Sequence, residues 1–342
     1  MSRPSRPRLS MSRRALDGRS SPEGASDSSA VATHWVPATH AGLPLAEVAG
    51  CHLLAELASG GHAVVYRAWQ PLLQRFVAIK ALTTDAQADP DMVERFLNEG
   101  RLLAQLTHPS VPQVHDLVAA HGSLFLVQEL CDGVDLLDVL AQIPMIPWPV
   151  AMAIFVQAAR CLALVHAKGI VHGDIKPANL ILTRSGRVKL IDFGSAQRVG
   201  DSHVLRPSLA TPAYRSPEQA SNEQASNEQA NNEQANNEHA NNEPVELDGR
   251  SDQFSLALVL QQMLTGQRSR SLLDVVADHA LPSAIADLLW RCLRPLARDR
   301  YPCMEDVLTA CNPIVGGAVE QRDLDTVRGF VALLRHAKAT QP

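Results

Sequence analysis

Val171-His172-Gly173-Asp174-Ile175-Lys176-Pro177-Ala178-Asn179-Leu180 is the stretch on which the reading of this chain turns. It sets Asp174, Lys176 and Asn179 at intervals of two and three residues. The flanks say where such a stretch sits. Before it, Pro149–His166 has helical spacing, with Ile154, Phe155, Ala158, Cys161, Leu162 and Val165 on one face, and Gly169 follows as a stop. After it come two short β runs, Leu180–Leu182 and Val188–Ile191, joined by Arg184-Ser185-Gly186-Arg187. The hairpin ends in Asp192-Phe193-Gly194. A loop between a helix and a hairpin therefore presents a carboxylate, an ammonium and, with Asp192, two oxygen ligands of the kind a hard cation such as Mg²⁺ prefers. The bland alternative is a polar turn. Three such groups followed by Asp-Phe-Gly make a poor accident.

Working outward, the earlier part of the chain is strand-rich. Val64–Trp69 and Phe76–Lys80 read as strands joined by Gln70–Arg75, and Leu124–Leu130 as a third. Leu57-Ala58-Ser59-Gly60-Gly61-His62-Ala63-Val64-Val65 is a small-residue turn whose backbone amides can approach phosphates. On its own it is an ordinary hairpin. Asp89-Pro90 opens a helix, an Asp cap followed by Pro in the first turn, running to about Leu106. Lys80 closes the apolar strand Val77-Ala78-Ile79-Lys80, where a snorkelling edge lysine is the usual case. Glu99, however, shares a helix face with Phe96, Leu103 and Leu106, and a carboxylate there is costly unless paired. A Lys80–Glu99 ion pair satisfies both and aims the ammonium at the α- and β-phosphates of a nucleotide.

With these pieces in place the chain resembles the eukaryotic-like (Hanks-type) serine/threonine protein kinases in their bacterial form, over roughly Cys51 to Cys311. The resemblance implies an α+β, bilobal protein-kinase fold. Its small lobe (51–128) is an antiparallel β-sheet with one helix (αC in the family's lettering), the hinge is 129–131, and the larger lobe (132–311) is mainly helical. It implies ATP with Mg²⁺, or Mn²⁺ in its place, as cofactors, and protein Ser/Thr hydroxyls as substrate. Asp174 would be the catalytic base with Lys176 beside it, and Asn179 and Asp192 the metal ligands. The nucleotide would be held by the turn from Leu57 to Val65, by Lys80 and Glu99, and by Val65, Ala78 and Ile181 around the adenine. Gln128 would be the gatekeeper, Glu129 and Cys131 the hinge residues bonding the adenine edge, and Asp135 the ribose contact. Thr211–Glu218 resembles the end of an activation segment. Glu218 should pair with Arg300, and Asp252 should brace the loop around Asp174.

The chain departs from that pattern in three places. Ala58 and Ala63 stand where the first and third glycines of the phosphate loop are usual, leaving Gly60. Gly173 replaces the arginine before the base, which removes the charge that clamps a phosphorylated activation segment. Between Gly266 and a helix at Ala284–Cys292 there is little room for the family's substrate-docking helix. Two rivals share much of the pattern: a pseudokinase scaffold, and a small-molecule kinase of related fold. The second should lack Ser216-Pro217-Glu218.

Composition bounds the rest. At 342 residues, 46% hydrophobic and a net charge of -5 with mixed signs, the chain can bury a large core and offers no reason to expect nucleic acid as a partner. The six cysteines show no CxxC pairing, which fits reduced thiols in the core of a cytoplasmic protein. No membrane span is expected. Residues 1–45 are rich in Ser, Pro and Arg and are expected to form a disordered tail. A five-residue repeat, EQASN, EQASN, EQANN, EQANN, EHANN, fills the low-complexity insertion at 219–243. Each unit would land ~140° from the last on a helix, so no common face builds up and a solvated insertion is expected. In the C-terminal extension (312–342), Leu324, Val327, Val331 and Leu334 mark a helix over 324–336, expected to pack on the large lobe.

Overall fold

The computed structural model describes residues 39–40, 43–44, 47–200, 212–222, 247–267, 281–316 and 320–339. Most of the expected N-terminal tail, the repeat units beyond residue 222, the segment 201–211 with its hydroxyls, and the stretch 268–280 lie outside them. Within the expected tail, Thr39–His40 pairs antiparallel with Leu43–Pro44.

The small lobe is one antiparallel sheet of six strands: β1 (Glu47–Val48), β2 (Cys51–Ser59), β3 (Ala63–Gln70), β4 (Arg75–Leu82), β5 (Val114–Ala120) and β6 (Ser123–Glu129), in the order β1-β2-β3-β4-β6-β5. It begins at Glu47, four residues before the expected boundary. Alternation decides its faces. Val77, Ile79 and Ala81 of β4 join Tyr66, Ala68, Phe125 and Val127 in one buried cluster. The intervening Ala78 and Lys80 therefore face the other way. Helix α1 (Pro90–Leu103) is capped by the Asp89 carboxylate, which accepts from the Asp91 amide at 2.9 Å. It buries Phe96, Glu99, Leu102 and Leu103 and ends at Leu103, one turn earlier than expected; Leu106 is buried beyond its end.

Below the sheet lie β7 (Gly133–Asp135), helix α2 (Leu136–Gln142), helix α3 (Trp148–Ala167), β8 (Ile170–Val171), β9 (Leu180–Thr183), β10 (Val188–Leu190) and β11 (Gln197–Arg198). They are followed by helices α4 (Gly249–Thr265), α5 (Ser283–Cys292), α6 (Met304–Val315) and α7 (Glu320–Ala339). Strands β10-β9-β7 form a three-stranded sheet, and β8 pairs with β11. Helix α3 is the axis of this lobe, and it packs against α4, α6, α7 and β10. By length and composition α3 is apolar enough to cross a bilayer, although no run of that kind is expected from the sequence. Here most of its apolar side chains are buried among those neighbours, while Trp148, Val150 and Leu164 are only partly covered. Of the cysteines, Cys51, Cys161, Cys292 and Cys311 are buried, but Cys131 is half-buried and Cys303 exposed, so the core-thiol expectation holds only in part.

The C-terminal helix is longer than the expected 324–336 and is part of the lobe. Val327, Phe330, Val331 and Leu334 are buried in the main core. Asp323, only 2% exposed, receives the Arg160 guanidinium of α3 at 2.8 Å. The turn between β9 and β10 is shaped to receive this helix. Gly186 has φ +86°, and a Cβ there would collide with the Leu324 carbonyl oxygen. Gln157 on α3 pins the same turn, donating to the Gly186 carbonyl at 3.0 Å and accepting from the Val188 amide at 3.0 Å. Gly186→Ala should therefore cost more than left-handed strain alone, which is about 1–3 kcal/mol. Gly122→Ala supplies the comparison, since Gly122 has φ +74° but open space around it. Denaturant midpoints should fall further for Gly186→Ala; equal losses would mean that α7 does not rest on this turn.

Candidate active site

Lys80 is where the two lobes meet. It lies near the end of β4, opposite Val65 on β3 and Leu126 on β6, and its side chain reaches toward α1. There the ammonium meets Glu99 at 2.8 Å (Oε1) and 2.7 Å (Oε2), and Asp192 Oδ1 at 2.8 Å. Glu99 is nearly fully buried, so an unpaired charge there would be severely disfavoured. Burial works against the Lys80 charge, but Glu99 and Asp192 outweigh it and raise the lysine pKa. Conversely, the Lys80 ammonium holds the Asp192 carboxyl at about 2, against the effect of its surroundings. Asp192 has φ +62°, an uncommon conformation for a non-glycine residue. That strain turns its side chain into the cleft beside Lys80, while Phe193 is buried edge-on against the His172 ring.

Asp174 lies at the floor of the cleft. Lys176 Nζ is 2.6 Å from its Oδ2, and Asn179 Nδ2 donates to its carbonyl oxygen at 2.8 Å and to Oδ2 at 3.2 Å. With the Asn179 amide nitrogen so occupied, its oxygen is the atom available to a cation. The loop owes its shape to Asp252, near the start of α4. The buried Asp252 carboxylate accepts from the His172 amide and the Gly173 amide, both at 2.8 Å, and contacts His166 Nε2 at 2.8 Å. Burial opposes its ionisation, yet these partners, His166 foremost, lower its pKa. Gly173 has φ +79°, and a Cβ on it would come within 2.9 Å of the Ser195 carbonyl oxygen.

The residues expected around a nucleotide fall on the strands and turns that flank Lys80 and Asp192. Ala78 is paired with Gln128, and Ile181 on β9 with Asp135 on β7. The Asp135 carboxylate accepts the Asp138 amide at 2.8 Å, so it also caps α2. In the turn between β2 and β3, the Gly60 amide donates to Ala63 O at 2.9 Å and the His62 carbonyl accepts from the Thr83 amide at 2.9 Å. Neither Gly60 nor Gly61 has a left-handed φ or a neighbour that would exclude a Cβ, and the alanines at 58 and 63 lie on the flanking strands β2 and β3. Leu57, Ala58 and Ser59 are exposed on β2. At the hinge, the Glu129 amide is held by the Gln113 carbonyl at 2.8 Å and its side chain by Lys189 at 2.6 Å. Burial pushes the Cys131 thiol up to about 11.

The far end of the activation segment is anchored as expected. Arg300, 2% exposed, donates to Glu218 at 2.7 Å and 2.9 Å and to the carbonyls of Arg250, Arg294 and Pro295. On sequence alone Gln219 falls inside the insertion. The structure instead makes it a strut: it is buried, donates to Gly173 O at 2.8 Å and accepts from the Ser216 amide at 3.0 Å. The insertion therefore starts later than residue 219. The sequence carried no usable sign of this, because the Glu-Gln pair recurs in the later repeats. His166 was missed for a related reason, since nothing local links it to a carboxylate 86 residues on.

Arg300→Met should cost about 3–5 kcal/mol, because it strands a mostly buried carboxylate. The acid dependence should change with it. Burial, the largest single influence, raises the Glu218 pKa, but Arg300, with help from a backbone hydrogen bond and Ser251, brings it below its ordinary value, so the contribution is present above the unfolded value of about 4.3 and lost as pH falls through the folded value. Denaturant titrations from pH 6 down to 3 should show a steeper loss in the wild type than in the variant. Parallel curves would refute the pairing.

Comparison with known proteins agrees with this geometry. The model of the protein kinase domain family matches residues 51–305. The serine/threonine-protein kinase PknH of Mycobacterium bovis is 29% identical over 293 residues, 81% of this chain and 46% of that protein. A probable serine/threonine-protein kinase of Clostridium perfringens is 28% identical over 284 residues, 75% and 37% of the two chains. PknA of Mycobacterium tuberculosis is 36% identical over 158 residues, 45% and 37%. Among solved structures, the PknI kinase domain of Mycobacterium tuberculosis superposes with a TM-score of 0.56 at 27% identity, covering 78% of this chain and 95% of that one. The matched region spans less than half the length of these curated relatives. A lysine held by two carboxylates, a loop braced by a buried aspartate and an arginine-locked activation segment, together with a family match over most of its length, make this chain a member of the protein kinase domain family.

Proposed function

We propose that this chain is an ATP-dependent protein kinase that transfers the γ-phosphoryl group to serine or threonine hydroxyls of other proteins. What supports the reading is two sets of contacts, Lys80 against Asp192 and Asp174 against Lys176 and Asn179, joined where the Ile191 amide donates to the Asn179 carbonyl at 3.0 Å. Lys80 would orient the α- and β-phosphates. Asp174 would accept the proton of the incoming hydroxyl, and Lys176, against its carboxylate, would face the transferred group. The Asn179 and Asp192 oxygens suit a hard divalent cation, Mg²⁺ or Mn²⁺, that takes its other ligands from phosphate and water. Such a cation would neutralise charge on the transferring phosphoryl group. The names of the relatives support Ser/Thr as acceptor. A cytoplasmic signalling role belongs to the same proposal.

The pseudokinase alternative has the altered phosphate loop and Gly173 in its favour. The Lys80 ion pairs and the Asp174–Lys176–Asn179 contacts weigh against it. With γ-labelled ATP and casein as a generic acceptor, the wild type should transfer label, and Asp174→Asn should lower the rate by about 10³-fold. Equal rates would refute the assignment.

The Gly173 position leads to a second expectation. The clamp arginine is absent and the backbone there is suited to glycine, so activity should not depend on a phosphorylated activation segment. Replacing Ser202, Ser208 and Thr211 together by alanine should leave most of the activity. A total loss restored by acidic substitutes would contradict this.

A further inference from the structure

A cavity of about 670 Å³ opens behind the hinge, away from the catalytic groups. Its walls come from the end of α1 and the loop after it, from Glu129 and Cys131 of the hinge, and from the β9–β10 hairpin. None of Lys80, Asp174, Asn179 or Asp192 contributes to it. The volume is that of a small-molecule site. One side is apolar, with Leu103 and Val111. The other carries Arg187 and Lys189, two residues apart on the hairpin and so on one face of it.

The charges are unequal in how firmly they are held. Lys189 is buried, and its ammonium is fixed to Glu129 at 2.6 Å. Arg187 has a weaker tie: Nη1 lies 3.3 Å from Oε1 of Glu320, which stands at the start of α7 and is 63% exposed. An exposed ion pair of this kind is worth little. The His108 imidazole is also in the wall, and burial, then the nearness of Arg187, lowers its pKa. The cavity thus contains one firmly neutralised cation and one, Arg187, whose partner can swing into water at small cost. A planar guanidinium beside an apolar wall suits a phosphate or carboxylate joined to an apolar body.

We propose that this cavity is a second ligand site, separate from the nucleotide cleft, for a small compound bearing a phosphate or carboxylate on an apolar body, with Arg187 as its anion contact and Glu320 as the group the anion displaces. The test uses the full chain, with the nucleotide cleft saturated by a non-hydrolysable ATP analogue and Mg²⁺. 1-Naphthyl phosphate and 1-naphthoate are then titrated by calorimetry, which separates the two anion types. At least one probe should bind. Arg187→Gln should weaken it at least tenfold, and Glu320→Gln should tighten it severalfold by freeing the guanidinium. Ala104→Trp, at an exposed position on the cavity rim, should abolish binding by filling the space. Arg187→Gln and Glu320→Gln alter exposed or half-exposed side chains, and circular dichroism with thermal melting would verify that every variant is folded. Absence of binding by both probes at millimolar concentration, or equal binding by wild type, Arg187→Gln and Ala104→Trp, would each overturn the assignment.

Discussion

The Lys80 ammonium has three carboxylate oxygens within 2.8 Å, two from Glu99 and one from Asp192. Those groups come from a strand, a helix and the end of a hairpin in the other lobe. Coulomb attraction in a shielded site is strong enough to fix their relative positions, whereas the same pair in open water would be nearly neutral in effect. Everything at the cleft follows from this. If α1 turned away, Glu99 would be left buried without a counter-charge, and Lys80 would lose its aim. The arrangement is thus self-checking: the charges are tolerable only when the lobes are assembled as a nucleotide site requires.

A second constraint operates one layer below. Asp252 gathers two backbone amides and a histidine, and so sets the path of the chain through His172 and Gly173. Gln219 takes the Gly173 carbonyl from the other side. Asp174 is consequently presented by a loop whose backbone is held from both directions, without any need for a charged residue at position 173. The glycine there relieves left-handed strain and avoids the Ser195 carbonyl. The loss of an arginine is therefore a coherent local solution and not simply a damaged motif.

Much of this was legible in the sequence because the motif residues are close together or fall on periodic elements. Asp174, Lys176 and Asn179 share one loop, and the 3.6-residue period of α1 shows that Glu99 lies on an apolar face. The Glu218–Arg300 and Asp252 contacts were reachable only through the family resemblance, since they join residues 82 and 80 positions apart. What stayed hidden is non-local or masked by repetition. Gln219 looks like the rest of the repeat, and His166 like an ordinary residue at a helix end. The seat of α7 depends on a collision that no pattern of residue types reveals, that of a Cβ at Gly186 with Leu324. The membrane-length character of α3 was missed for the opposite reason: Gln157 and Arg160 interrupt the apolar run to the eye, while the helix as a whole remains apolar enough.

The most direct measurement is calorimetric titration of the protein with a non-hydrolysable ATP analogue, with Mg²⁺ and then with the metal chelated, repeated for Asp192→Asn. Saturable one-to-one binding by the wild type with Mg²⁺, weakened at least tenfold by chelation and by the substitution, is the expected result. Absence of binding by the wild type, or binding indifferent to both the metal and Asp192, would contradict the convergence of these side chains on a metal-bound nucleotide.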